Sequence, residues 1–166
     1  MQKHKNSLYL RNFVFGIEDS LVSTVGLLAG IASQHIPTAT VLLTGIIYIF
    51  VEGFSMAVGS FLSEESAEEY EKKSAVSNRI PVWGAVVMFI SFIIAGFIPI
   101  APYLLFSGES GVYASIAISL FVLFIIGFIN ACISHVKPFR RAVRMVILGG
   151  LAIIVGVLVG KFAQIG

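Results

Sequence analysis

Charge is what this 166-residue chain has least of: Asp, Glu, Lys and Arg together make up 12% of it, against 57% hydrophobic residues and a mean hydropathy of +0.96. A water-soluble domain of this length has too little interior to hide so much apolar side chain, so a soluble fold is excluded. Cysteine is nearly absent. Cys132 stands alone, which rules out an internal disulfide and leaves apolar packing as its reading. The three histidines, His4, His35 and His135, are too scattered for a metal cluster and read as interfacial. The chain has no glycine-rich phosphate loop, no Ser/His/Asp set and no cofactor motif, which argues against an ATP-driven pump or a covalent enzyme and calls for no bound cofactor.

What the chain does have is long apolar runs. Five are marked, at about Phe13–Ala32, Thr38–Leu62, Val82–Leu105, Val112–Ile133 and Val143–Phe162, each near the ~20 residues that a spanning helix needs. The expected fold is an all-α integral membrane protein, a single transmembrane domain over residues 1–166 with a short acidic loop at 63–81. The first run is not read as a cleaved signal peptide, because no small-residue cleavage site follows it and Glu18 and Asp19 interrupt it. Ten of the eleven basic residues fall on one side of this topology: Lys3, Lys5 and Arg11, then Lys72, Lys73 and Arg79, then Lys137, Arg140, Arg141 and Arg144. The short connections around Gln34-His35 and from Ser107 to Gly111 have none, and only Lys161 lies on their side. Basic loops are retained in the cytoplasm, so the N-terminus reads as cytoplasmic and the C-terminus as external. The net charge of +2 is accordingly a topology signal, and no nucleic-acid partner is expected.

The acids are more informative. Glu64, Glu65, Glu68, Glu69 and Glu71 form one cytoplasmic cluster and Glu109 is external, but Glu18, Asp19 and Glu52 lie inside predicted helices. A carboxylate in hydrocarbon costs at least a few kcal/mol and normally faces a partner helix or a water-filled path. Glu18 is near enough to the cytoplasmic end to reach the interface instead; Asp19 is too short to do so. Asp19 and Met56 each lie about 9 Å in from the cytoplasmic side at the helical rise of ~1.5 Å per residue. Glu52 is one turn from Met56 on the same face. Two carboxylates and a thioether would line one path, with Ser23 and Ser55 either adding hydroxyl oxygens or bonding to backbone carbonyls. A methionine sulfur shifts preference from magnesium and calcium toward softer divalent metals. Residue types alone lead to a cation or proton pathway without choosing between them. The small-xxx-small segments Gly26–Gly30 and Gly156–Gly160 allow close helix approach. Five helices leave little room for an enclosed path, so a homodimer with the path near its interface is expected.

Several segments resemble one family. GIEDSLVSTVGLLAG (16–30) and EGFSMAVGSFLSEESAEEYEKK (52–73) are similar to the vacuolar iron transporter family of iron and manganese exporters, as are IPVWGAVVMFISFIIAGFIPIAPYLL (80–105) and RRAVRMVILGGLAIIVGVLVGK (140–161). The resemblance implies a dimeric five-helix transporter that moves ferrous iron, often manganese as well, out of the cytoplasm in exchange for protons. It matches Asp19 and Met56 to the family's intramembrane metal positions, and implies that Gly16, Gly53 and Gly59 let helices approach closely. The chain departs from the family pattern at Glu18 and Ser20, which flank Asp19 where asparagine and glycine are frequent, and at Ser60, where glutamate is common. It also lacks the long glutamate-rich cytoplasmic domain between the second and third helices. The five glutamates of residues 64–71 would then be either a remnant metal-entry site or a solvated helix end balanced by Lys72, Lys73 and Arg79. Glu52 is not required by the family motif; it either replaces a carboxylate lost elsewhere or pairs with Asn130. The expected function is proton-coupled export of ferrous iron or manganese across a bacterial or archaeal cytoplasmic membrane, along Asp19, Met56, Glu52 and Glu18. The alternative is a non-transporting accessory or sensor protein that keeps the fold.

Overall fold

Backbone amides have no water to bond with in hydrocarbon, so each apolar run closes its own hydrogen bonds as a helix. A computed structural model describes residues 2–34, 36–74, 77–106 and 108–163; His35, Ser107 and the side chains of Lys3, His4 and Lys5 lie outside what it describes. Its elements are α1 (Gln2–Ala32), α2 (Thr38–Lys72), α3 (Arg79–Leu105), α4 (Glu109–Ile133) and α5 (Pro138–Ala163), all helical and all long and apolar enough to cross a membrane. The chain is an integral membrane protein.

The acidic loop expected at 63–81 is mostly helix. α2 runs on to Lys72, because Glu and Lys are good helix formers and Glu68 and Lys72, one turn apart, make an ion pair of 2.7 Å. The helix stops at Lys73, which takes a left-handed φ of 50° while its N–H donates to the Glu69 carbonyl.

α1 is the hub. It touches each of the other four helices, which follow one another around it in chain order, α2 on α3, α3 on α4 and α4 on α5. α2 and α5 do not touch, so the arc has an open side. On its α3 side, α1 is tied by the buried Ser20, whose hydroxyl donates to the Phe92 carbonyl at 2.6 Å. Leu28, Ile49, Phe92 and Ile100 build one apolar cluster between α1, α2 and α3, and Leu21, Ala95 and Leu123 build another toward α4.

The two small-xxx-small segments meet each other. A Cβ on Gly30 would stand 2.5 Å from the Gly156 carbonyl oxygen, and Cβ atoms on Gly156 and Gly160 would overlap the carbonyls of Gly26 and Gly30. Backbone lies directly on backbone, an approach that only glycine permits. Both motifs are therefore consumed in the α1–α5 seam within one chain and leave no glycine stripe there for a second copy. Of the three glycines that the resemblance singles out, Gly16 packs on Ser91 and Met88 of α3, and Gly53 packs on Phe92 and Ile93. Gly59 has nothing within 4 Å.

A carboxylate pair at mid-membrane

Asp19 occupies the middle of the α1 span, which runs from Asn6 to Ala32. At ~1.5 Å per residue it lies about 20 Å from Ala32, and Glu52 lies about 21 Å from Thr38 at the matching end of α2. The two carboxylates therefore share one level and stand within electrostatic reach of each other. Tyr48, one turn from Glu52, brings its hydroxyl beside Ser23 and within reach of both acids. Ser23 itself donates to the Asp19 carbonyl at 2.6 Å, which is the backbone-bonded alternative for that serine, while Ser55 is exposed on the outer face of α2. Among the described residues neither Asp19 nor Glu52 makes an ion pair. Both are half-buried.

Met56, expected at the depth of Asp19, instead lies one turn nearer the basic end than the pair, and it packs against the cluster containing Ile49 and Phe92. It follows Glu52 on a stripe, Tyr48, Glu52, Met56 and Ser60, in which every residue is half-buried at the edge of α2. At the foot of that stripe Asn12 of α1 donates to the Ser60 hydroxyl at 2.8 Å. One turn further, Arg11 meets Glu64 at 3.0 Å.

The five glutamates at 64–71 do not act as one group. Glu64 and Glu68 are turned inward, each only 6% exposed, and are held by Arg11 and Lys72 respectively. Glu69 and Glu71 are exposed, and Glu65 is half-exposed. Among the described residues no set of three or more His, Cys, Asp or Glu side chains converges, here or elsewhere.

Glu18 is separated from its neighbour Asp19, since adjacent side chains on a helix point about 100° apart. It faces α4 and α5, lining a cavity of about 300 Å³ with Arg11, Asn130 and Arg141. The structure therefore does not bring it together with Asp19 and Glu52, with which the sequence groups it. A Glu52–Asn130 pair is likewise ruled out: Asn130 lines Glu18's cavity, and α2 and α4 do not touch. Tyr48, Asn12 and Arg11 were not singled out from sequence. The available signal was their spacing, Tyr48 and Ser60 each lying one turn beyond Glu52 and Met56.

With this geometry in view, comparison with known proteins is direct. The sequence pattern of the VIT family matches residues 10–80 and 76–161, two pieces that meet in the α2–α3 connection. The chain belongs to the VIT family. This VIT-family chain is 33% identical over 81 residues to vacuolar iron transporter 1 of Arabidopsis thaliana, an alignment covering 48% of the chain and 32% of that protein. It is 27% identical over 163 residues to vacuolar iron transporter homolog 4 of the same plant, covering 89% and 80% of the two chains. An uncharacterized protein of Methanocaldococcus jannaschii is 26% identical over 161 residues, covering 86% and 83%.

Proposed function

We propose that this protein carries a divalent metal, ferrous iron or manganese, along Asp19, Glu52 and Met56 in exchange for protons. The observation that carries the reading is a pair of carboxylates at one mid-membrane level, neither of which makes an ion pair among the described residues. Two uncompensated charges at that depth are costly, so the pair holds either protons or a cation. Because a metal binds only the deprotonated carboxylates, binding and proton release are linked, and that linkage is the physical basis of antiport. Met56, a soft donor one turn toward the basic end, favours ferrous iron over magnesium. The names of the plant relatives support iron as cargo.

The basic end is taken as cytoplasmic, from which metal would enter past Asn12 and Ser60 and leave at the opposite face. A homodimer completes the path. One chain leaves Asp19 and Glu52 half-buried and gathers, among the described residues, fewer than three acidic or imidazole ligands, while Gly59 stands open on α2. The archaeal relative supports placement in a prokaryotic cytoplasmic membrane. The test is ferrous-iron and manganese flux into proteoliposomes carrying an internal pH dye. Wild-type protein should take up metal and expel protons, and Asp19→Asn should abolish both while remaining folded. Unchanged flux in Asp19→Asn would refute the path; absence of flux in folded wild type would favour the accessory reading.

A further inference from the structure

The basic residues of the α4–α5 corner form a built feature as well as a charge excess. Lys137, just before α5, and Arg140, Arg141 and Arg144 within it recur at the three- and four-residue spacing that puts them along one side of the helix start. They line an open cleft of about 1080 Å³ running from the α4–α5 turn along the first three turns of α5. Among the described residues none of the four makes an ion pair, and Glu18 is the one carboxylate lining the cleft, within reach of Arg141. The same face continues into the membrane as Ile147, Leu148 and Leu151, which are 57%, 53% and 53% exposed. Charge at the membrane boundary followed by bare apolar side chain repeats, in order, the two parts of a phospholipid.

We infer that this cleft binds the phosphate headgroup of an anionic phospholipid, with an acyl chain lying along Ile147 and Leu148. Arginine suits the task because its planar guanidinium donates two parallel hydrogen bonds to phosphate oxygens. Basic pockets between spanning helices are a recurring way of holding such headgroups. Retention of α5's basic end on one side of the membrane needs only the charges; the cleft and the apolar continuation of the same face are what select a lipid over a free anion.

The experiment uses purified full-length protein in a neutral detergent, where membrane topology no longer enters, and follows thermal unfolding on adding lipid. Phosphatidylglycerol in hundredfold excess over its dissociation constant should raise the midpoint by roughly 5 to 10 °C, and phosphatidylcholine should leave it in place. Arg140→Gln with Arg144→Gln should abolish the shift. Lys73→Gln with Arg79→Gln, which removes equal charge from the same end of the bundle away from the cleft, should preserve it. Should the arginine pair fail to fold, mass spectrometry of wild type and the Lys73/Arg79 variant supplies the test: co-purifying anionic lipid in both supports the site, and its absence from wild type overturns it. An equal shift with inorganic phosphate alone would overturn the lipid assignment in favour of a soluble anion. Loss of the shift in both variants would show that net charge, and no site, attracts the lipid.

Discussion

Adding a single methyl group at Gly30 tests the α1–α5 seam directly. The Cβ of alanine would lie 2.5 Å from the Gly156 carbonyl oxygen and 3.0 Å from its carbonyl carbon. Both atoms are backbone, so no rotamer change relieves the overlap, and the helices must separate by something on the order of 0.5–1 Å. A gap of that size forfeits a quarter to a half of each dispersion contact along the seam, where Val25, Ala29 and Ile153 are buried beside the glycines. Overpacking of this kind costs about 1–3 kcal/mol, or roughly 2–12 °C in the unfolding midpoint of a chain this size. Gly150→Ala is the control. It lies on α5, the other helix of the seam, with nothing within 4 Å of its added Cβ, and there the greater helix propensity of alanine makes the change neutral or mildly stabilising. Thermal unfolding of the two variants in one detergent decides the matter. A Gly30→Ala midpoint equal to that of Gly150→Ala would refute the seam.

Two further outcomes concern the path and the assembly. Glu52→Gln removes one of the two level carboxylates while leaving Asp19, so the apparent KM for metal in proteoliposomes should rise at least about tenfold, a change on the order of 1.4 kcal/mol; an unaltered KM would remove Glu52 from the path. If the proposed homodimer forms on the Gly59 face, Gly59→Leu, at a position with nothing within 4 Å of an added Cβ, should leave the monomer's helicity and unfolding intact while dissociating that dimer in native mass spectrometry. A dimer that persists would place the interface on another face.

The number of helices was readable from hydropathy alone, since lipid demands length and apolarity and little else. The end of α2 was not: residues 63–72 carry five glutamates, and a helix that leaves the membrane loses its apolar signature while keeping its i,i+4 pairs. Sequence spacing correctly set Glu52 and Met56 on one edge, because that is a property of a single helix. It grouped Glu18 with Asp19 and offered Asn130 to Glu52, because which helix faces which is decided between helices. Only the structure shows that α4 covers the Glu18 side of α1 and never touches α2. One signal was present and unused. α1 is the least apolar of the five spans and also the most buried, as suits a helix whose neighbours are protein in place of lipid.

That central position has a consequence for synthesis. The helix that all the others surround precedes them in the chain, so it enters the membrane before any of the surfaces that will enclose it exist. Until α3 is made, Ser20 has no Phe92 carbonyl to meet; until α5 is made, Gly26 and Gly30 lie bare against lipid. During that interval Glu18 and Asp19 have only lipid, water and the insertion machinery around them, which favours a helix that lingers at the translocation channel. The order of manufacture thus runs opposite to the order of enclosure, and α5, made after the other four, closes the seam on α1.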